Sequence, residues 1–285
     1  MEKAVALEAG RTFLCASGGG EIEKRRHCAK LAHMTGTLKS IGKSVGGGML
    51  ELLFPQACAN CREPVGGEGG FCAACWGGLH FLDGPSCVCC GTPFAIDPGI
   101  GSLCAACLAR PPSFSRARAI LSYDEESKSA ILALKHADRL ELVPGFSRWL
   151  GRVGRPLLED CEMIVPVPLH RSRLWLRRYN QSAELARRLA RDWNRGFEPL
   201  ALVRSRRTAS QGEMPSARAR RRNVLAAFQV PDPARVRGRK ILLVDDVLTT
   251  GATVEACARA LRRAGAADIA VLTLARVVRA SEALI

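Results

Sequence analysis

The stretch Lys240-Ile-Leu-Leu-Val-Asp-Asp-Val-Leu-Thr-Thr-Gly-Ala-Thr253 limits the architectures open to this chain more than any other. Ile241, Leu242, Leu243 and Val244 form a short unbroken apolar run, the pattern of a strand buried on both faces of a parallel sheet. The run ends in Asp245 and Asp246, continues through Val247 and Leu248, and reaches a turn of Thr249, Thr250, Gly251, Ala252 and Thr253. An Ala- and Leu-rich helix is predicted over 254–263. Strand, short loop and helix start make an anion site, because the first N–H groups of a helix lack intrahelical acceptors and its dipole is positive there. Gly251 lets the backbone approach a phosphate closely, and the threonine hydroxyls add donors. The two carboxylates would repel a phosphate; they suit sugar hydroxyls or a hydrated divalent cation. A phosphate cradle beside paired acceptors predicts a pocket for a ribose 5-phosphate.

From Arg116 onward the chain alternates strand and helix signals, which argues for a parallel sheet covered on both faces. The pattern predicts an edge strand or hood element over 117–123, helices over 127–137 and 145–158, and a strand over 163–167. A helix over 181–195 and strands over 198–203, 241–244 and 268–275 complete it. Right-handed crossovers place the strand C-termini, and so Asp245 and Asp246, at one mouth. The strand ending Ile164-Val-Pro-Val-Pro168 opens a second loop there, stiffened by its prolines. Arg171, Arg173, Arg177, Arg178, Tyr179, Asn180 and Gln181 follow, ahead of Leu185 and Leu189 on the predicted helix.

Thirteen cysteines are present. Eight of them form four Cys-x-x-Cys knuckles: Cys58/Cys61, Cys72/Cys75, Cys87/Cys90 and Cys104/Cys107. Two residues between thiolates let one tight turn present both sulfurs to a tetrahedral ion, and two turns complete a Zn2+ site. The surrounding segment is rich in Gly and Pro, so it lacks the apolar surface to fold unaided, and a structural zinc contributes on the order of 10–16 kcal/mol in such domains. Two zinc ribbons are expected; the alternatives are a degenerate, metal-free second site or a disulfide scaffold, the latter disfavoured in a chain with no export signal. Cys89 lies inside the third knuckle, and Cys257 is expected in the core.

The net charge is +15, and its placement is informative. Residues 171–222 hold 15 arginines against 4 acids, which is +11 of the total. Arginine dominates the whole chain, as a GC-rich genome produces, but codon bias does not explain the missing acids. The segment predicts an anionic partner. Within it, Arg204, Arg206, Arg207, Arg218, Arg220, Arg221 and Arg222 surround small and polar residues in a stretch with nothing to pack. A mobile arm is expected, able to close over a substrate or to grip a nucleic-acid backbone. No apolar run is long enough to cross a bilayer, and the expected location is cytoplasmic. Residues 1–48 carry two glycine clusters and no clean period; they are expected to be a disordered extension or sequence upstream of a mis-assigned start.

The Val-Asp-Asp-Val-Leu-Thr-Thr-Gly-Ala-Thr segment is similar to the phosphoribosyl-diphosphate (PRPP) loop of type I phosphoribosyltransferases. Taken with the zinc knuckles, Val-Pro-Val-Pro-Leu, Arg-Arg-Tyr-Asn-Gln and the segment with Gln211, Arg220, Asn223, Val224 and Phe228, the chain resembles the ComF family over about residues 50–278. The family is competence-associated and phosphoribosyltransferase-like. The resemblance implies an α/β fold with a parallel sheet between helices over 113–280, preceded by a double zinc ribbon over 49–112. It implies a PRPP-binding stretch of Asp245, Asp246, Val247, Leu248, Thr249, Thr250, Gly251, Ala252 and Thr253, with Asp245 and Asp246 holding the ribose hydroxyls, Thr249–Thr253 the 5-phosphate, and Mg2+ accompanying PRPP. Arg178 and Asn180 would serve the pyrophosphate. Family members usually have Gly where this chain has Arg178, which bears on how closely that loop can approach a pyrophosphate. Leu134-Lys135-His136 resembles a Leu-Lys-Tyr of the family's hood region, making Lys135 a candidate ligand-facing residue. Two functions are implied, beside a third and blander reading: a non-catalytic zinc-ribbon nucleic-acid-binding or interaction protein whose pocket is vestigial. One is a phosphoribosyltransferase whose acceptor no residue here identifies. The other is an accessory protein of single-stranded DNA uptake, with PRPP as a regulatory ligand. In that second case the ribbons and Arg206, Arg207, Arg218 and Arg220–Arg222 would contact DNA or the uptake machinery.

Overall fold

A computed structural model of the chain describes residues 57–65, 70–136, 139–170, 174, 179–205 and 227–278. The strands are β1 Arg116–Ser122, β2 Met163–Pro166, β3 Gly196–Phe197, β4 Val203–Arg204, β5 Phe228–Gln229, β6 Lys240–Leu248 and β7 Asp268–Arg276. The helices are α1 Ala73–Gly77, α2 Ala105–Ala109, α3 Glu125–His136, α4 Val143–Val153, α5 Arg155–Asp160, α6 Gln181–Asp192 and α7 Ala252–Arg263. Five strands form an all-parallel sheet in the order β1-β7-β6-β2-β3, and β4 pairs antiparallel with β5 in a separate ribbon.

The unbroken apolar runs of β6 and β7 follow from their central place, since both faces of each strand are covered. Leu242 and Val244 join Leu272 and Leu274 on one face, under Ile131 of α3, Phe146 of α4, Leu158 of α5 and Leu185 of α6. Ile241 and Leu243 join Ile269 and Val271 on the other, under Val254, Cys257 and Leu261 of α7. Each such fully buried side chain contributes roughly 1.5–3 kcal/mol of transfer free energy.

Three sequence-based expectations need correction. The helix predicted over 145–158 is two helices, because Gly154 caps α4 and Pro156 opens α5. Proline has no N–H for the helix ladder and its ring clashes one turn back. The strand predicted over 198–203 is also divided: Gly196–Phe197 pairs with β2, while Val203–Arg204 turns away to β5. Pro199, between them, cannot donate to a ladder. Lastly, β6 does not end at Val244 but runs through both acids to Leu248, held by β7 through Val247↔Ala275 and Leu248↔Arg276.

The Cys-rich segment docks on the free edge of β1. Leu82 N–H donates to the Ile120 carbonyl (2.8 Å), Ser122 N–H to the His80 carbonyl (2.8 Å) and Ala117 N–H to the Cys89 carbonyl (2.6 Å). An edge strand left open would template aggregation, and this segment covers it. Gly91, just past the third knuckle, has φ +69°, and a Cβ there would lie 2.5 Å from the Ala117 carbonyl oxygen. Phe71, Trp76, Phe81, Phe146 and Trp149 meet at centroid distances of 5.0 to 6.4 Å, joining the first ribbon to α4. Residues 1–48 lie outside the described residues. Among those described, no helix is long and apolar enough to cross a membrane.

Candidate functional site

The two acids of β6 meet the first turn of α6. Asn180 caps that helix: its side-chain oxygen accepts from the Ser182 N–H (3.1 Å), and its amide donates to the Val167 carbonyl (3.0 Å). The cap fixes the loop after β2 against the helix and brings Gln181 and Ser182 onto the acids. Gln181 Nε2 donates to Asp246 Oδ2 (2.7 Å), and Ser182 Oγ donates to Asp245 Oδ1 (3.0 Å). Lys135, at the end of α3, places its ammonium 2.9 Å from the same Asp246 Oδ2. The Tyr179 hydroxyl donates to the carbonyl of neighbouring Leu134 and ties α3 to this corner.

The acids are therefore unequal. Asp246 is buried, with Oδ1 taken by the Val247 N–H (2.6 Å) and Oδ2 by Gln181 and Lys135. Burial opposes its ionisation, but the Lys135 ammonium and the Gln181 amide outweigh that and hold its carboxyl below the usual range. Asp245 is half-buried; its Oδ1 accepts from Ser182 and from the Asp246 N–H (3.0 Å). Its burial and the adjacent Asp246 charge push its carboxyl up to about 7. Among the described residues no donor is paired with Asp245 Oδ2. Gln181 Oε1, fully buried, also has no partner there. Two acceptors without donors at one corner suit vicinal hydroxyls, which have donors to give.

The loop after β6 carries the features of an anion cradle. Gly251 has φ +71°, the left-handed conformation open to glycine, and is the N-cap of α7. The N–H groups of Thr249 to Val254 have no acceptor among the described residues; the next, Glu255 N–H, closes onto the Gly251 carbonyl at 2.8 Å. The Thr250 hydroxyl is also buried and has no partner among the described residues. A run of free amides at a helix start is a nest for an anion.

The knuckles form two separate clusters. In each, one sulfur per cysteine lies within 4.8 Å of the other three: Cys58, Cys61, Cys72 and Cys75 in the first, Cys87, Cys90, Cys104 and Cys107 in the second. The closest pairs, Cys61···Cys72 at 3.5 Å and Cys90···Cys104 at 3.6 Å, match the roughly 3.8 Å between sulfurs that a tetrahedral zinc with bonds of about 2.3 Å requires. Cys58 Sγ accepts N–H bonds from Cys72 (3.3 Å) and Asn60 (3.5 Å). Cys87 Sγ accepts the equivalent pair from Cys104 (3.3 Å) and Cys90 (3.5 Å). Burial opposes the thiolate at both, yet these amides lower Cys58 to about 6 and Cys87 to about 7. All-sulfur clusters with amide support fit two structural zinc ions. Cys89 turns away, its Sγ toward the Phe114 carbonyl at 3.9 Å, and Cys257 is core as expected.

Of the residues singled out in the sequence, Asp245, Asp246, Lys135 and Asn180 come together at one corner, and Thr249–Thr253 stand at the end of the same strand. Arg178, Arg206, Arg207, Arg218, Arg220, Arg221 and Arg222 lie outside the described residues. Gln181 and Ser182 were missed as site residues. The signal was available: both occupy the first turn of a capped helix that opens at the acids' mouth.

The Double zinc ribbon domain model matches residues 49–108, and the Phosphoribosyl transferase domain model matches residues 180–283. DNA utilization protein YhgH from Escherichia coli O157:H7 is 36% identical over 233 residues, 79% of this chain and 99% of that protein. Competence protein F from Haemophilus influenzae is 30% identical over 230 residues, 78% of this chain and 98% of that protein. Adenine phosphoribosyltransferase from Mycobacterium avium is 52% identical over 42 residues, 14% of this chain and 23% of that protein. The chain belongs to the ComF family, with a double zinc ribbon joined to a phosphoribosyltransferase-like domain, alongside DNA utilization protein YhgH and Competence protein F.

Proposed function

We propose that this corner binds PRPP with Mg2+, and that the chain works in the handling of single-stranded DNA taken into the cell. The reading rests on one observation: the unfilled acceptors Asp245 Oδ2 and Gln181 Oε1 stand on the strand that leads into the free amide run at Thr249–Val254, or against it. Ribose hydroxyls donate to the first pair, and the 5-phosphate accepts from the second group. The DNA setting is supported by the relatives, a DNA utilization protein and a competence protein.

Asp246 has no vacant oxygen, so it supports the site while Asp245 meets the ligand. Mg2+, when bound with PRPP, would offset charge on the pyrophosphate. Lys135, already at the acids, is a cation placed for the same purpose. Transfer of the ribose 5-phosphate to an acceptor would release pyrophosphate and a proton, driven by positioning and charge rather than by a covalent nucleophile.

Calorimetric titration of the zinc-loaded chain with PRPP and Mg2+, with and without a single-stranded oligonucleotide, tests the reading. One PRPP per chain is expected, lost in Asp245→Asn. A wild-type chain that ignores PRPP would sink it. Pyrophosphate release in the same cell decides whether binding leads to turnover.

A further inference from the structure

Where the chain leaving the first ribbon docks on β1, three metal-ligating side chains meet, apart from the acid corner and from both thiolate clusters. They are His80, from the docked segment, and Asp124 and Glu126, from the start of α3. One ligand atom of each lies within 4.8 Å of the other two.

The fold places the three by separate means. His80 is held through its backbone: its carbonyl accepts from the Ser122 N–H, and the next residue, Phe81, bridges antiparallel to Leu121. Asp124 opens α3, where its Oδ1 accepts from the Ser127 N–H (3.0 Å) and its own N–H donates to Ser127 Oγ (3.1 Å). Glu126 lies against the ribbon, since a Cβ at Gly78 would meet its Cγ at 3.5 Å. Glu125, beside it, is spent instead on Lys128 (2.9 Å).

The helix dipole accounts for acids in a first turn. It does not account for an imidazole brought among them from another segment. His80 Nδ1 stands 3.0 Å from Asp124 Oδ2, and the Glu126 carboxylate has no donor among the described residues. An ion held by bonds of about 2.0–2.2 Å keeps adjacent ligand atoms roughly 3.0–3.5 Å apart. The His80–Asp124 pair already has that spacing, and the exposed Glu126 side chain can rotate onto it. One nitrogen and two carboxylate oxygens form a harder donor set than the all-sulfur clusters. Three protein ligands leave positions open to water, so the ion is held more weakly than by four thiolates.

We propose that His80, Asp124 and Glu126 bind one divalent ion of the Co2+, Ni2+ or Zn2+ kind, which clamps the docked segment to the start of α3. The far end of that helix carries Lys135, so the clamp also steadies one member of the acid corner. The inference stands apart from PRPP binding.

Cobalt reports on this site alone when both ribbons hold zinc, because it binds the same ligands more weakly than zinc and does not displace it. Titrate the zinc-loaded full chain with Co2+ and follow its absorption. One Co2+ per chain is expected, with the weak visible bands of nitrogen and oxygen ligands and without the intense near-ultraviolet absorption of cobalt thiolate. His80→Ala should lose this ion. Glu126→Gln should weaken it by on the order of tenfold or more, since even the outer partners of metal ligands are worth that much. Glu125→Gln should leave it unchanged, and so should Asp245→Asn, which alters the other carboxylate site. Every variant should keep its two ribbon zinc ions, a check that it has folded. Added Zn2+ should raise the melting temperature of the wild type and not of His80→Ala. No bound cobalt, thiolate absorption, or equal binding by wild type and His80→Ala overturns the inference. Cobalt lost in Asp245→Asn and kept in His80→Ala puts the ion at the acid pair and overturns it as well.

Discussion

Asp245 and Asp246 are neighbours with the same chemistry and different work. Asp246 is enclosed by Lys135, Gln181 and the Val247 amide, so Asp246→Asn should cost on the order of 1–3 kcal/mol, seen as a lower urea midpoint. Asp245→Asn should barely move that midpoint near pH 5 and should abolish PRPP binding. The pH dependence separates them further. Asp245 is raised from an ordinary 3.8 to about 7, so between those values the unfolded chain binds fewer protons than the folded one. Stability therefore falls as pH rises through that window, and the Asp245→Asn chain should lose this fall. Asp246 is lowered, so its contribution is present above the ordinary carboxylate range and disappears as pH drops beneath it. PRPP affinity should rise as pH passes about 7, because only the ionised Asp245 accepts from hydroxyls at both oxygens. Calorimetry at pH 6 and pH 8 reads this directly; a flat profile would remove Asp245 from the ligand.

At the scale of elements, the sequence was most legible where one local pattern determines the outcome. The apolar run at Ile241–Val244 identified a central strand, and the Cys-x-x-Cys spacing identified the cysteine pairs that the fold gathers into two clusters, because both depend on neighbours only. Where β6 ends was not legible, since its extension to Leu248 is decided by pairing with β7, which no local pattern encodes. The roles of Gln181 and Ser182 were hidden for the same reason: they depend on how α6 docks on β6. Asn180 was legible as a helix start, and its second bond, to the Val167 carbonyl, was not. Asn180→Ala removes both bonds and should cost about 1–2 kcal/mol by thermal melt, with weaker PRPP binding because Gln181 and Ser182 lose their placement. Gly91→Ala tests the other docked element. Left-handed backbone strain and a 2.5 Å approach to the Ala117 oxygen should destabilise the ribbon contact by on the order of 1–3 kcal/mol. Zinc should be released faster by a chromophoric chelator.

Across the whole molecule the two ribbons attach to different parts of the sheet, and this predicts different consequences of losing each metal. The first ribbon leans on α4 through Phe71, Trp76 and Phe81 against Phe146 and Trp149. The second holds Arg276 through Cys90 and Thr92, and Arg276 is paired in register with Leu248, the residue that opens the phosphate loop. A four-thiolate ribbon without its ion loses most of its folding free energy. Cys61→Ser should therefore drop the zinc content from two to one per chain and disturb the α4 side, leaving anion binding close to wild type. Cys104→Ser should drop the zinc content equally but release Arg276 and weaken PRPP and phosphate binding by on the order of tenfold, the effect of one displaced charged donor. Zinc content by metal analysis and affinity by calorimetry on the same samples keep the two effects apart. Equal affinity in both variants would mean that the ribbons only shield the edge of β1, and that Arg276 keeps its position without them.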